Sequence, residues 1–287
     1  MAATLTCVKA RKVGSLRGLV SPPFAPLCPP LPPFANPRHP RHTRAMEWRE
    51  QGLLLTVRPH GETSAIIEVF TAGHGRHAGV VRGGVGRRMG PVLQPGAELD
   101  LVWKARLEEH IGSFTAEPVR SRAAAVLGDP PALAALTAVC ALLAYALPER
   151  DPHPQLHARS VALLDLVAAG GDWQVPYIGW ELALLEELGF GLDLGRCAVT
   201  GATEGLTLVS PKSGRAVTQA GAGAWADQLL PLPPFLGGAG AVGPGDLGRG
   251  LALTGHFLDH HLAPSLGERP LPEARRRLVA LLTRGAA

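Results

Sequence analysis

The chain has 287 residues, of which 46% are hydrophobic and 18% charged, and it carries a formal net charge of +4. This composition is that of a globular protein, so it excludes a chain that is disordered throughout or collagen-like. Even the apolar stretch 132–147 is too short to cross a bilayer, and the four cysteines are too dispersed for a disulfide framework, which fits a reducing compartment.

The first 45 residues differ from the rest in charge and in proline content. They hold seven Lys or Arg residues and no acid, and nine prolines fall between Pro22 and Pro40. Proline cannot sustain a helix, so residues 1–45 are predicted to be a disordered leader outside the fold. Two interpretations stay open: an organelle transit peptide, or an over-extended gene start with Met46 as the true first residue, which the many prolines and few serines favour. Without these seven charges, residues 46–287 carry a net charge of −3, so any anion-binding site must be local.

The next segment contains short β-rich runs separated by glycines. Alternating apolar residues with many Val, Ile, Phe and Thr predict strands. The five predicted strands are residues 52–57, 65–71, 76–82, 98–104 and 112–117. Five short strands in succession predict a small antiparallel β-barrel, and barrels of this kind often bind polymers through strand faces and loops.

Beyond Asp129, a plausible helix N-cap, the hydrophobic periodicity becomes helical. Helices are predicted at residues 132–147, 156–169, 177–188, 251–262 and 272–282, and residues 193–220 form an irregular insert with short strands near 206–209 and 216–218. The predicted fold class is therefore α+β and multidomain. A barrel at 46–125 precedes a mainly α-helical domain at 126–287.

Signatures of nucleotide chemistry and of the common catalytic classes are missing from the sequence. It contains no Gly-Lys dipeptide and hence no P-loop, and no HExxH, GxSxG or kinase motif. Residues 83–86 resemble half of a dinucleotide fingerprint, but they follow a barrel-type strand and precede no helix. The sequence therefore predicts no catalytic residue and no cofactor.

Two histidine pairs have the spacing that places both imidazoles on one helix face: His153 with His157, and His256 with His260. A closed metal site needs about four ligands, and no cysteine or acid cluster converges on either pair, so solvated or capping histidines are favoured. A small metal-dependent hydrolase that uses His256, Asp259 and His260 remains the alternative to a binding protein. The acids Asp165, Glu181, Glu186 and Glu187 are predicted on a solvent face.

The most informative feature is an acid-free interval between Val69 and Ala97. It contains Arg76 and Arg82, which alternation places on one side of a strand about 20 Å apart, and the loop arginines Arg87 and Arg88. Lys104 and Arg106 extend this positive track from the fourth strand. The pattern indicates a site for a polymeric anion, with a merely solvated arginine face as the alternative.

Aromatic residues for base stacking are few in the predicted barrel. The candidates are Phe70, Trp103 and Phe114.

The segment EQGLLLTVRPHGETSAIIEVFTAGHGRHAGVVRGGVGRR resembles the N-terminal OB-fold of the bacterial RecO family of DNA repair proteins. Its matching features are the Gly-Glu-Thr-Ser turn at 61–64, Phe70-Thr71 with His74-Gly75, and a strand running into an arginine loop. Three later blocks, at 193–201, 210–215 and 272–275, are similar to the family's C-terminal region. The resemblance covers most of residues 46–287.

The resemblance implies a non-enzymatic recombination mediator with an OB-fold DNA-binding domain at 46–125. Such a protein binds single- and double-stranded DNA, anneals complementary strands, and works with RecR to load RecA onto strands coated by single-strand-binding protein, whose C-terminal tail is a further partner. The implied location is the cytoplasm, at the nucleoid and not at a membrane. The expected DNA-binding residues are Arg76, Arg82, Arg87, Arg88, Lys104 and Arg106.

The sequence departs from the family pattern in one respect. Many members place four cysteines in the C-terminal region as a zinc site, whereas here the matching stretch holds only Cys197. The unit at about 193–220 is therefore zinc-finger-like but cysteine-poor, and no zinc is predicted.

Overall fold

The computed structural model describes residues 46–107, 109–237, 240 and 242–284, so the predicted leader lies outside the described residues. The first five strands are β1 (Met46–His60), β2 (Ser64–Thr71), β3 (Gly75–Val81), β4 (Glu98–Ala105) and β5 (Ser113–Arg120). The helices are α1 (Ala123–Val126), α2 (Pro130–Ala146), α3 (Pro154–Ala168), α4 (Gln174–Glu187), α5 (Gln219–Ala222), α6 (Asp246–Phe257), α7 (Ala263–Ser265) and α8 (Glu273–Arg284). Three short strands, β6 (Leu206–Val209), β7 (Ala216–Thr218) and β8 (Leu230–Pro231), lie between α4 and α6.

The five N-terminal strands form a closed barrel in the order β1-β2-β3-β5-β4, which confirms the predicted architecture. Strand β1 pairs antiparallel with β4 through its first half and with β2 through its second half, and the register shifts between Leu54 and Thr56. A short parallel contact between β3 and β5, at Val80 and Val81, completes the closure. The barrel interior is filled by alternate strand residues such as Ile67, Leu99 and Leu101.

Strand β1 begins at Met46, six residues before the predicted strand. Among residues 46–51 only Met46 and Trp48 are apolar, and most of the six are exposed, so the hydrophobic alternation there is weak. They become a strand because their backbone pairs with β4 from Met46 to Leu53.

The second half of the described chain is a helical body, as predicted. The Asp129 carboxylate accepts a hydrogen bond from the Ala132 N–H at 3.0 Å, which confirms the predicted N-cap of α2. The predicted helix at 251–262 begins earlier, at Asp246, and its last turn, Leu258–Leu262, winds as a π-helix. Strands β6 to β8 form a small sheet in the order β7-β6-β8. Within the described part of the chain, no helix is long and apolar enough to cross a membrane.

The expectation that Glu181 lies on a solvent face was wrong. Its carboxylate is fully buried and accepts hydrogen bonds from Arg275 Nε at 2.7 Å, the Tyr177 hydroxyl at 2.8 Å and Thr254 Oγ1 at 2.5 Å. The guanidinium of Arg275 on α8 compensates the buried charge of Glu181. Because Arg275 is distant in sequence, the helical spacing around Glu181 does not reveal this partner. Glu186 and Glu187 are exposed, as predicted.

Asp165 also has a structural role that the sequence did not predict. Asp165 lies in α3 and accepts hydrogen bonds from Arg122 Nε and from Arg120, both at 2.7 Å. Arg120 is the last residue of β5, and Arg122 comes two residues later. The Arg122 side chain is only 1% exposed and donates also to Glu98 at 2.9 Å and to the Gly96 carbonyl at 3.1 Å. This cluster fixes the barrel to the helical body.

Candidate nucleic-acid interface

The loop between β3 and β4 is a succession of hydrogen-bonded turns. The Val85 N–H donates to the Thr63 carbonyl in the β1–β2 turn at 3.3 Å, and the N–H groups of Met89 and Gly90 both donate to the Gly86 carbonyl. The loop is also held by apolar contacts, because Leu93 is buried in the barrel core and Met89 packs against it. These hydrogen bonds and apolar contacts hold the backbone of the loop in place, and the arginine side chains extend from that backbone.

Gly83 and Gly84 allow this path for different reasons. Gly83 has φ of +70°, a conformation that side chains rarely adopt, with open space around it. A Cβ at position 84 would lie 2.7 Å from Ala65 Cβ, so only glycine lets the loop approach β2 this closely.

A groove of about 620 Å³ lies between this loop and β5. The loop wall carries Arg82 and Arg88, and the β5 wall carries Ser113 and Thr115 with their hydroxyls. Phe114, only 4% exposed, contributes to the lining between them. The groove thus combines guanidinium groups on one side with neutral polar groups on the other.

The three loop arginines have no acidic partner among the residues that the structure describes. Arg82, Arg87 and Arg88 are all exposed, and none forms an ion pair within that part of the chain. Arg82 and Arg88 line the groove, whereas Arg87 does not. These guanidinium groups are available to an external anion.

Arg76 is placed differently from the loop arginines. Its side chain is 17% exposed and donates to Glu68 at 2.9 Å and to the Leu147 carbonyl at 2.8 Å. It also lies 3.7 Å from Glu149. Strand β3 ends at Val81, so Arg82 lies outside it, and Arg76 contributes to the junction with the helical body.

The two predicted residues on and after β4 also differ from each other. Lys104 forms an ion pair with Glu47 at 3.0 Å, with both side chains about half exposed. Arg106 is exposed and has no ion pair in the described ranges. The structure therefore brings together Arg82, Arg87 and Arg88, and places Arg76 and Lys104 in ion pairs elsewhere on the barrel.

The three aromatic candidates for base stacking are buried. Phe70, Trp103 and Phe114 are at most 4% exposed and pack inside the protein. Sequence reasoning missed Trp48, which stacks on His74 with ring centroids 4.2 Å apart and meets Trp103 on β4. The Thr115 wall of the groove was also missed, because it becomes part of the site only through barrel closure.

The histidines of the alternative hydrolase hypothesis make hydrogen bonds to backbone carbonyls. His256 and His261 are both within hydrogen-bonding distance of the Pro211 carbonyl, and His260 Nδ1 lies 3.0 Å from the His256 carbonyl. Among the described residues, no group of three or more His, Cys, Asp or Glu side chains is placed to hold a metal ion.

The cysteine-poor unit is organised around Cys197, which is 2% exposed. Its sulfur accepts hydrogen bonds from the N–H groups of Thr200 at 3.4 Å and Thr218 at 3.3 Å. Hydrogen bonds from Thr200 and then Thr218 lower the pKa of this thiol to about 6. The sulfur thus acts as a hydrogen-bond acceptor at the centre of the unit.

A larger cavity, of about 820 Å³, lies where the barrel meets the helical body. Its apolar lining includes Leu188, Phe190, Leu262 and Leu266, and its charged lining consists of Arg58, Glu68, Arg76 and Arg269. The Arg269 guanidinium lies over the Tyr145 ring, 5.1 Å from its centroid. The cavity therefore offers an apolar surface beside an excess of positive charge.

Comparison with known proteins identifies the family. The model for the recombination protein O N terminal matches residues 46–122, and the model for the recombination protein O C terminal matches residues 127–270. A DNA repair protein RecO from Cereibacter sphaeroides (strain ATCC 17029 / ATH 2.4.9) is 62% identical over 239 residues, which cover 83% of this chain and 99% of that protein. The DNA repair proteins RecO of Ruegeria sp. (strain TM1040) and of Dinoroseobacter shibae are each 59% identical, with the same coverage of both chains. The chain therefore belongs to the RecO family of DNA repair and recombination proteins.

Proposed function

We propose that this protein is a non-enzymatic recombination mediator that binds single- and double-stranded DNA and anneals complementary strands. The observation that carries this proposal is the groove in which Arg82 and Arg88 have no acidic partner among the described residues. In the same role it helps to load RecA onto DNA coated by single-strand-binding protein. Metal-dependent hydrolysis is not proposed, because the relatives named above are DNA repair proteins and His256 and His261 are directed at a backbone carbonyl.

The groove suits a protein that must leave bases free to pair. Guanidinium groups bind phosphates without reading sequence, and the hydroxyls of Ser113 and Thr115 are suited to sugar and phosphate oxygens. Phe114 is too buried to stack on a base. A bound strand is therefore held by its backbone, which is the requirement for annealing.

The proposed division of labour follows the two parts of the fold. Residues 46–125 are the DNA-binding domain, and residues 126–287, which carry a net charge of −4, are the scaffold and docking domain. The protein acts in the cytoplasm, at the nucleoid.

We assign the larger cavity to the acidic tail of single-strand-binding protein, and RecR to another surface. Charge complementarity supports this assignment, since the lining holds three arginines and one glutamate. The apolar floor formed by Phe190 and Leu266 accommodates an aliphatic or aromatic side chain of the tail.

The DNA-binding proposal predicts the behaviour of an R82A/R88A variant. Its affinity for a single strand falls about equally for all sequences, and the salt slope falls by roughly 1.4, because two phosphate contacts of about 0.7 each are lost. Fluorescence anisotropy across a salt series measures both quantities. Arg49→Ala is the matched control, since Arg49 is an exposed barrel arginine paired with Asp100. An unchanged slope in R82A/R88A would show that the groove is only a solvated surface.

The tail assignment predicts that Arg269→Glu weakens binding of an acidic tail peptide at least about tenfold, because repulsion replaces attraction at the cavity. Isothermal titration with the peptide measures this, and a peptide of the same length with its acids replaced by amides is the control. DNA affinity stays at the parent value. If Arg269→Glu binds the acidic peptide like the parent, the tail docks elsewhere.

A further inference from the structure

We propose that a DNA strand bound in the groove continues across β5 to Lys104, and that Lys104 exchanges its ion pair with Glu47 for a phosphate. The inference rests on the proposed DNA-binding function and extends the site beyond the groove lining. It also assigns Glu47 the role of a competitor that the bound strand displaces.

The first support is the position of Lys104 beside the groove wall. Lys104 on β4 is the antiparallel register partner of Ser113 on β5, and Ser113 lines the groove. Side chains of directly opposed residues lie on the same face of a sheet, with Cβ atoms about 4.5–5.5 Å apart. That face is the outer one, because the neighbours Trp103 and Phe114 are buried in the barrel core. The Lys104 side chain therefore extends from the barrel surface one strand away from the groove.

The second support is the exposure of the ion pair that holds Lys104. Its ammonium lies 3.0 Å from the Glu47 carboxylate, and the two side chains are 56% and 52% exposed. Exposed pairs of this kind contribute little to stability, since water screens both charges. Arg49, two residues along β1 from Glu47, differs because Asp100 accepts two hydrogen bonds from its guanidinium. Lys104 can thus leave its carboxylate for a phosphate at little cost, whereas Arg49 stays paired.

The third support is the distribution of charge along β5. The outward residues near its start, Ser113 and Thr115, carry neutral hydroxyls, whereas the next outward residue is Glu117. The register partner of Glu117 on β4 is Asp100, so carboxylates lie on both strands towards that end. Because carboxylates repel phosphates, a strand that leaves the groove over β5 is favoured to pass towards Lys104.

The experiment is a double-mutant cycle on the full chain, measured by fluorescence anisotropy with a single-stranded oligonucleotide across a salt series. Lys104→Ala should lower the salt slope by roughly 0.7, because one phosphate contact is lost. Glu47→Gln should tighten binding about two- to fivefold, because Lys104 no longer has to leave a carboxylate. In the E47Q/K104A variant this gain should disappear, since no lysine remains for Glu47 to hold. Glu273→Gln is the matched control and should bind like the parent, because it removes an exposed carboxylate paired with Arg276 on α8.

The possible outcomes are distinguishable. If Lys104→Ala keeps the salt slope of the parent, the strand does not reach Lys104 and the proposed path is wrong. If Glu47→Gln tightens binding equally in the parent and in the Lys104→Ala background, Glu47 acts through net charge alone and the proposed exchange is wrong. If R82A/R88A leaves single-strand binding unchanged, the groove itself is not a DNA site and the proposed function loses its support, whatever Lys104 contributes.

Discussion

His77 is a buried titratable residue in the aromatic end of the barrel. It is 5% exposed and packs against Trp48, Trp103 and Phe114, and neither ring nitrogen has a hydrogen-bond partner in the described structure. Burial, followed by the nearby charges of Arg150 and His74, lowers the pKa of His77 to about 4. The neutral imidazole is therefore the form that the folded barrel accommodates.

This pKa makes the stability of the protein depend on pH in a predictable direction. The unfolded chain, with a His pKa near 6.5, binds more protons than the folded chain between about pH 6.5 and 4, so stability is lost as pH falls through that window. Through His77 alone, acidification across this window should lower the free energy of unfolding by on the order of 3 kcal/mol. A His77→Phe variant cannot be protonated there and should lose much less stability on acidification.

Urea unfolding at pH 7 and pH 4.5 measures the difference between parent and variant. His157 and His256 also have lowered pKa values and titrate in both proteins, so they act as an internal control. Equal pH dependence in parent and His77→Phe would contradict the assigned role of His77.

At the scale of elements, the sequence predicts those whose own residues carry the signal. Strand β3 alternates between buried and half-buried residues as predicted, and α2 begins at the Asp129 cap. The first half of β1 could not be predicted, because it is a strand only through pairing with β4. The π-helical turn at 258–262 has no distinct periodicity in the sequence, which predicts a regular helix there.

At the candidate site, sequence-based prediction meets the same limit. The loop arginines were predictable from their acid-free interval, since local composition reveals them. The wall that faces them could not be predicted, because Ser113 and Thr115 lie across a parallel contact between β3 and β5. Pairings of this kind are long-range and depend on how the whole barrel closes.

At the scale of the whole molecule, the arginines fall into two groups that look alike in sequence. Arg76, Arg120 and Arg122 bond to groups in other elements and join the barrel to the helical body. Arg82, Arg87 and Arg88 have no such partner in the described ranges. The partners of the first group, Asp165 in α3 and the carbonyl of Leu147 just after α2, are distant from the barrel in sequence. Local composition therefore cannot distinguish Arg76 from the loop arginines.

This distinction predicts opposite consequences for substitutions in the two groups. Arg122→Met removes a guanidinium that is 1% exposed and leaves Arg120 as the remaining arginine beside the Glu98 and Asp165 carboxylates. Hydrogen bonds to charged groups contribute about 1.5–3 kcal/mol, so the free energy of unfolding should fall by at least that amount. Arg82→Ala, on an exposed loop, should change it by no more than about 0.5 kcal/mol. Urea unfolding of both variants measures this contrast.

Arg120→Met is the matched control for the junction, because Arg120 bonds to the same Asp165 but is 55% exposed. Screening by water makes its contribution to stability much smaller than that of Arg122. At a temperature where Arg122→Met stays folded, its single-strand affinity should match the parent, since Arg122 does not line the groove. If Arg122→Met unfolds like the parent, the junction depends on apolar packing between the barrel and α2. If Arg122→Met instead keeps its stability and loses DNA binding, the buried cluster influences DNA binding at the groove. The separation of the two arginine groups is then wrong.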